Sequence, residues 1–350
     1  MTTLIETLAG VPATSRLGQA LQARAEIMRL SEAAHDAVLM PREPGGLSHG
    51  LRAALAARMC RHVGDDALTS HYESYLAHSA DLDAAQLAHP EGTTGDLLKD
   101  AIARHIDLLT LSPREATRGD IAALRPVGAR HRAPVRTRRL RELPVAGRCG
   151  AQTLERGRSP MSEPVHRFTA TVPEWSPYVT PVELASATPE QLNAMKVTPS
   201  NKGVSPYVLT LAHDPESLEV RSPLFNLIMY GKGGLPSAER ELGALSASIV
   251  NRCIYCAAVH ASRFIGLTAR NDVVDMIFAD ERDAKLEPRQ QALFDFAVKL
   301  STTPIEARAD DARALVDAGL SELEQLDFVL SAAIFGWANR LMHTLGEPLA

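Results

Sequence analysis

The chain has 350 residues, of which 45% are hydrophobic and 23% charged, the composition of a globular protein long enough for two domains. A formal net charge of -5 argues against a general nucleic-acid binder, and no stretch approaches the ~18 apolar residues that cross a bilayer. The first residues also lack the pattern of a signal peptide. We therefore expect a cytoplasmic protein whose partners include neither nucleic acid nor a membrane.

Alanine and leucine dominate the sequence and aromatic residues make up only 5% of it, which favours helices over strands. Only residues 165–182 have an extended pattern, and their prolines predict a connecting arm rather than a sheet. We therefore predict an all-α fold. The predicted helices, each with apolar residues at helical spacing, are Arg16–Ala34, Leu51–Val63, Leu68–Leu87, Gly95–Thr110, Ser217–Tyr230, Ser237–Val250, Tyr255–Phe264, Asn271–Phe278, Pro288–Leu300, Asp310–Ala318 and Ser321–Leu345.

Two parts of the chain share a sparse pattern of identical residues at a constant spacing. Residues 45–47, Gly-Gly-Leu, followed by Arg52 match residues 233–235, also Gly-Gly-Leu, followed by Arg240. Self-similarity of this kind is typical of tandem copies of one supersecondary unit. We therefore predict two tandem helical units.

The two copies differ at their ends. After Gly319 the second copy continues into a long amphipathic helix, whereas Gly128 is followed by residues 129–160, which are rich in arginine, contain no lysine and lack apolar periodicity. The first unit is therefore predicted to lack its last helix, and we divide the chain into domain 1–128, a linker and domain 161–350. One hypothesis is that the linker is a shifted-frame translation joining two formerly separate chains; the alternative is an ordinary basic linker.

The reactive side chains gather in the second unit. They are Glu241, Cys253, Cys256 and His260. Ser237 can cap a helix with an acidic first turn, and this helix should end near Asn251-Arg252, because asparagine tolerates the left-handed closing conformation. On one straight helix Glu241 and Cys253 would lie ~18 Å apart, but a turn and a returning helix would bring Glu241 toward His260.

In that hairpin the two cysteines occupy the first turn of the returning helix, where unpaired N–H groups favour thiolate over thiol. His260 follows Cys256 by four positions on the same face and could take its proton, while Glu241 could either orient the imidazole or accept a relayed proton. A thiolate that attacks a peroxide becomes a sulfenic acid, which a second thiol converts to a disulfide. We predict that Cys256 attacks, Cys253 resolves and an external dithiol reduces the pair.

Less specific interpretations exist for each of these residues. A Cys-x-x-Cys-x-x-x-His pattern also occurs in zinc sites, but no fourth ligand is evident, so we expect neither a metal nor a cofactor. An acidic residue early in a helix is ordinarily solvated surface, and a single histidine is more often part of a core. The position of Glu241 and His260 relative to the cysteines favours a functional role.

The pattern Glu241, eleven residues, Cys253-x-x-Cys256-x-x-x-His260 resembles the alkylhydroperoxidase D-like group of the carboxymuconolactone decarboxylase superfamily, and residues 161–350 look like its peroxidase-related members. The resemblance implies an all-helical homo-oligomer that reduces organic hydroperoxides through the cysteine pair, with the glutamate and histidine as a proton relay. One departure is Tyr255, which stands where well-characterised members have a second histidine.

The first unit looks like a degenerate copy of the same superfamily, with no peroxidase chemistry expected of it. The positions that the repeat places opposite the four reactive residues hold Ala53, Asp65, Leu68 and Tyr72. For the second unit, two other functions stay open. One is a lactone decarboxylase or related carbon-acid enzyme, whose chemistry needs no cysteine pair. The other is a non-catalytic redox-sensing module, whose disulfide would switch contacts within an assembly.

Overall fold

The computed structural model describes residues 3–79, 81–124, 163–198 and 203–350. Within these ranges the chain forms seventeen α-helices and one sheet of two strands, which confirms the predicted all-α fold. None of the described helices is both long and apolar enough to span a membrane. The predicted linker, residues 129–160, and the shifted-frame hypothesis attached to it lie outside the described residues.

Residues 3–124 contribute eight helices, with a 3-10 turn at Pro113–Glu115 before the last one. These helices are α1 (Leu4–Ala9), α2 (Arg16–Ala23), α3 (Ala25–Leu39), α4 (His49–Val63), α5 (Asp66–Ser79), α6 (Leu82–Leu87), α7 (Leu97–Leu111) and α8 (Arg118–Ala123).

The described residues from 163 onward contribute nine helices, with 3-10 turns at Leu184–Ser186 and Glu281–Asp283. These helices are α9 (Pro189–Ala194), α10 (Pro206–Leu211), α11 (Pro215–Tyr230), α12 (Ser237–Val250), α13 (Ile254–Thr268), α14 (Asn271–Asp280), α15 (Pro288–Ser301), α16 (Ala309–Asp317) and α17 (Glu322–Leu345). In the first unit the counterpart of α17 would follow Gly128, outside the described residues, so the predicted absence of a last helix there stays a prediction.

The expectation that residues 165–182 form only a connecting arm was wrong at one point. Within them β1 (Glu174–Pro177) pairs antiparallel with β2 (Gly346–Leu349), which directly follows α17. Gly346 allows the two strands to approach closely, because a Cβ there would lie 2.4 Å from Cζ2 of Trp175. The pairing partner is separated from the arm by the whole second unit, so the local pattern did not indicate it.

The predicted repeat has a structural counterpart in the hairpins α4–α5 and α12–α13. Arg52 and Arg240 occupy equivalent places: Nε of Arg52 donates to the Leu47 carbonyl at 3.1 Å, and Nε of Arg240 donates to the Leu235 carbonyl at 3.0 Å. In both cases Nη1 donates to a carbonyl near the end of the preceding long helix, α3 or α11. In each unit, therefore, the equivalent arginine links the end of the preceding long helix to the start of the helix that carries it.

Helix α12 is the centre of the second unit. All residues from Arg240 to Ile249 are buried, and the helix packs against α13, α15 and α17. Gly243 lets α17 approach, since a Cβ there would meet Oγ of Ser331 at 2.8 Å and Cε2 of Phe328 at 3.0 Å. Residues 240–249 of α12 are therefore shielded from water. This burial strengthens the electrostatic interactions of Glu241, because water screens a buried charge little.

The N-terminal helices α2 and α3 belong to the core of the second unit. Leu21 and Met28 pack in one apolar cluster with Leu224 and Phe335, whereas α4, α5, α6 and α7 build a separate core. An ion pair strengthens this attachment, because Arg24 donates to the buried Asp327 at 2.7 and 2.8 Å. Asp327 also accepts from Arg240 at 2.8 Å. Two helices assigned to residues 1–128 thus share a core with the second unit.

Candidate active site

The loop between α12 and α13 reverses the chain, as the sequence predicted, but its details differ. Pro236 is the N-cap of α12, and Ser237, expected to cap it, is its first residue and makes no capping hydrogen bond. At the other end Asn251 keeps right-handed helical angles, with φ at -80°. The left-handed residue is Arg252, with φ at 52°. The side chain of Asn251 instead donates to Asn339 at 3.2 Å.

Both cysteines lie at the start of α13. Cys253 is the N-cap and Cys256 is the third residue of the helix. Both are buried free thiols, with 3% of Cys253 and 6% of Cys256 exposed. The backbone N–H of Cys253 donates to the Ser248 carbonyl at 2.9 Å, which fixes the turn against the end of α12. A disulfide between them would need only local movement, because the two residues share one helical turn.

The reversal brings Glu241 of α12 against His260 of α13. Nδ1 of His260 lies 2.5 Å from Oε2 of Glu241, and both side chains are buried. The imidazole also meets the ring of Phe335 edge-on, with centroids 4.3 Å apart, while Nη1 of Arg263 lies 4.0 Å from the other carboxylate oxygen. With its Nδ1 hydrogen donated to the carboxylate, the ring keeps Nε2 free to accept a proton.

The surroundings of Cys256 disfavour the thiolate form that the sequence led us to expect. The hydrogen bond with Cys253, followed by burial, raises the pKa of the Cys256 thiol well above its ordinary value. A hydrogen bond from Asn339 acts in the opposite direction, as does the start of the helix. The resting residue is therefore a thiol at neutral pH, and it needs a base before it can act as a nucleophile.

His260, the expected base, does not bond Cys256 directly. In the described part of the chain the hydrogen bond of His260 goes to Glu241, and the neighbours that bond Cys256 are Cys253 and Asn339. The two residues still lie one helical turn apart on the same face. A proton can pass between them through one water or after a side-chain rotation.

Sequence reasoning missed three residues near the thiols. Tyr207 of α10 stacks edge-on against Trp175, with centroids 5.4 Å apart, and Arg221 of α11 donates to its hydroxyl at 3.3 Å. Burial raises the pKa of Tyr207 to about 12, with both cysteines adding to the shift. The sequence around Arg221 gave no signal of this, because α11 contains other polar and charged residues such as Glu219 and Ser222.

Tyr255, which replaces a histidine of the resembled group, borders the same site. Burial raises the pKa of its phenol, and the neighbouring cysteines raise it further. A phenol that stays protonated can donate a hydrogen bond but cannot act as a base near neutral pH. Tyr255 therefore differs chemically from the histidine in that position.

A cavity of about 700 Å³ opens beside Cys253. Its wall comes from four regions of the chain: the start of α13, the arm around Trp175, the end of α17 with β2, and Arg114–Gly119 of the first unit. Cys253 is thus the cysteine that a molecule entering from this cavity would meet first. Of the described residues, no group of three or more histidine, cysteine or acidic side chains could hold a metal ion.

The first unit uses the equivalent positions differently. Asp65, which the repeat places opposite Cys253, accepts a hydrogen bond from the backbone N–H of Leu68 at 2.9 Å and so caps α5. Ala53, opposite Glu241, is fully buried, and Tyr72 stands opposite His260. This hairpin contains neither thiols nor a carboxylate–histidine pair at the corresponding places.

One protein-family model matches the stretch of the chain that contains this site. Residues 215–299 match the model of the Carboxymuconolactone decarboxylase family. The matched stretch runs from α11 into α15 and contains the four predicted site residues, so the superfamily inferred from the motif is confirmed. No curated protein matches the chain.

Several solved structures resemble about half of the chain. A peroxidase-related protein from Ralstonia eutropha JMP134, described as an alkylhydroperoxidase AhpD core, is 28% identical over 48% of this chain and 90% of its own, with a TM-score of 0.43. A peroxidase-related protein from Silicibacter sp. TM1040 is 24% identical over 44% of this chain and 82% of its own, with a TM-score of 0.37. The debrominase Bmp8 is 22% identical over 47% of this chain and 87% of its own, with a TM-score of 0.39.

Proposed function

We propose that the protein is a thiol-dependent peroxidase of the alkylhydroperoxidase D-like kind, which reduces organic hydroperoxides through Cys253 and Cys256. The observation that carries the proposal is one hairpin, which holds two buried thiols in the first turn of α13 and, one turn further along, a buried His260 bonded to Glu241 of α12. A carbon-acid enzyme of the same family would not need two adjacent thiols. The pairing of thiols with a proton-accepting group is what peroxide reduction requires.

In the first step His260 takes the proton of Cys256, and Glu241 offsets the positive charge that forms on the imidazole. The thiolate attacks one oxygen of the O–O bond; the S–O bond forms, the O–O bond breaks, and the leaving alkoxide takes a proton to become the alcohol. Sulfur is oxidised to a sulfenic acid and the peroxide is reduced. Cys253 then attacks the sulfenic sulfur, which forms the disulfide and releases water.

An external dithiol must restore the two thiols. Cys253 lines the cavity, so its sulfur is the one that we expect the reductant to attack first. We also propose a homo-oligomer, on the resemblance to alkylhydroperoxidase D-like proteins alone.

The test is a count of free thiols in the reduced protein before and after one equivalent of tert-butyl hydroperoxide. We expect two thiols to disappear rapidly in the natural chain and in Cys60→Ser, whose buried thiol lies in the first unit, but not in Cys256→Ser. Addition of dithiothreitol should then give repeated turnover to tert-butanol. If both thiols survive the peroxide, the chain is not a peroxidase; oxidation without turnover would favour the redox-sensing module.

A further inference from the structure

Arg221, on α11, is held among aromatic rings. The centre of its guanidinium lies near three ring centroids, those of Tyr207 at 5.5 Å, Phe225 at 5.4 Å and Trp337 at 5.6 Å. Rings in this arrangement attract a cation through their quadrupoles. All three rings pack against the apolar cluster that contains Cys253 and Cys256. A permanent positive charge is therefore held at the edge of the apolar cluster that contains the two thiols.

Arg221 is partly buried and lacks the carboxylate partner that Arg240 has. Arg240 pairs with the carboxylate of Asp327 at 2.8 Å, whereas among the described residues Arg221 has no carboxylate within salt-bridge distance. Its hydrogen bond goes from Nη2 to the hydroxyl of Tyr207 at 3.3 Å. The Nε atom is buried without a hydrogen-bond partner. Because an unpaired buried donor is unfavourable, the position suits a residue that meets a negative charge during the reaction.

Cys256 is the group that can supply this charge. The positive charge of Arg221 lowers the pKa of the Cys256 thiol, against the larger upward effects of Cys253 and burial. Tyr207 cannot be the anion at neutral pH, since burial raises its pKa to about 12. Tyr207 remains a neutral phenol that accepts a hydrogen bond from Arg221.

The other ionisable groups at this site do not replace Arg221. Titratable and charged side chains on the elements around Cys256 include Tyr207, Arg221, Glu241, Arg252, Cys253, Tyr255, His260, Arg263, Arg340 and His343. Arg252 is paired with Glu281 at 2.7 Å, and Arg263 lies 4.0 Å from Glu241. Arg340 has no carboxylate partner among the described residues, but its guanidinium donates to the carbonyls of Leu109 and Gly336 at 2.9 and 2.8 Å. Arg221 differs from these three arginines because its Nε is buried without a hydrogen-bond partner.

We propose that Arg221, held by its three rings and by Tyr207, stabilises the negative charge that forms on the sulfur of Cys256 and then on the oxygen that this sulfur receives. The inference rests on the proposed function in one respect, that Cys256 is the attacking residue. The proton of Cys256 goes to His260, and the thiolate then faces the guanidinium. After the O–O bond breaks, the oxygen bound to sulfur remains within reach of the same positive charge until Cys253 displaces it as water.

The test measures the nucleophilicity of Cys256 without any peroxide. The reduced full-length protein is alkylated with iodoacetamide from pH 6 to 10, and the rate at each cysteine is read by mass spectrometry. Arg221→Met removes the charge and keeps an apolar stem, and Arg221→Lys keeps the charge. We expect Arg221→Met to slow alkylation of Cys256 about tenfold at pH 7, because one unit of thiol pKa changes the thiolate fraction tenfold, and Arg221→Lys to stay within about threefold of the natural chain.

Arg29→Met is the matched control, since Arg29 lies on the exposed face of α3 with 61% of its side chain accessible; it should leave the Cys256 rate unchanged. An unchanged Cys256 rate in folded Arg221→Met would overturn the proposal. If that variant does not fold, Arg221→Lys decides: a tenfold loss there means that the shape of the guanidinium, and not its charge, matters. Failure of the peroxidase function would appear instead as thiols that survive hydroperoxide, whatever the alkylation rates.

Discussion

Replacement of Glu241 by glutamine removes one negative charge from the buried pair with His260 and preserves the size of the side chain. The two groups are 2.5 Å apart, and only 2% of Glu241 and 3% of His260 are exposed, so water does little to screen the charge. An amide oxygen can accept the same hydrogen bond. It cannot offset the positive charge that His260 acquires when it takes the proton of Cys256.

The expected loss follows from two magnitudes. A hydrogen bond to a charged group contributes about 1.5–3 kcal/mol, against about 0.5–1.5 kcal/mol for a neutral one. General base catalysis as a whole is worth about 10²- to 10⁴-fold in rate. Because glutamine keeps the orientation of the ring but not the charge, we expect Glu241→Gln to lower kcat/KM for tert-butyl hydroperoxide about 10²-fold.

The assay is the rate of tert-butanol formation with dithiothreitol as reductant, for the natural chain, Glu241→Gln and Glu239→Gln. Glu239 lies on the same helix, but its carboxylate pairs with Arg289 at 2.7 Å, so its replacement should change kcat/KM less than threefold. Activity of Glu241→Gln within threefold of the natural chain would refute the role of the carboxylate. An equal loss in both variants would indicate damage to α12 rather than to the proton relay.

Three further predictions concern stability and thiol reactivity. Asp327→Asn should lower the free energy of unfolding in urea by about 3–5 kcal/mol, because it leaves Arg24 and Arg240 without their shared carboxylate; a loss below about 1 kcal/mol would contradict this. Burial raises the pKa of Cys60 to about 11, so its alkylation at pH 8 should be about 10²-fold slower in the folded than in the unfolded protein, as measured by mass spectrometry. Burial lowers the pKa of His343, so the unfolded state binds the proton more readily, and stability should fall as pH drops below about 6.5. The urea midpoint at pH 7.5 and 5.5 should therefore differ less in His343→Leu than in the natural chain, and an unchanged difference would exclude this residue as the cause.

The parts of the site that depend on local spacing could be predicted from the sequence. Two cysteines three residues apart share one helical turn, His260 follows on the same face, and the break after α12 places Glu241 opposite it. These relations follow from helix geometry and from where a helix can end. The tandem repeat was also accessible, since Arg52 and Arg240 follow the same Gly-Gly-Leu sequence and make corresponding hydrogen bonds.

The parts that depend on contacts between distant segments could not be predicted. Nothing local indicates that Arg221 and Tyr207 lie beside the cysteines, because three different helices must pack before these side chains meet. The direction of the Cys256 pKa was also missed, since the helix start favours the thiolate but the hydrogen bond with Cys253, together with burial, outweighs it. The N-cap position expected for Ser237 is held by Pro236, which makes no side-chain capping bond, because a sequence pattern defines helix ends only to within a residue or two.

The packing of α2 and α3 into the second unit has a consequence for synthesis on the ribosome. Arg24 and its carboxylate partner Asp327 are 303 residues apart in the chain, and translation proceeds at about 5–20 residues per second. The apolar faces of α2 and α3 therefore leave the ribosome roughly 15–60 seconds before their partners on α17 exist. During that interval they must be shielded by transient contacts or by a chaperone, and slower translation would lengthen their exposure.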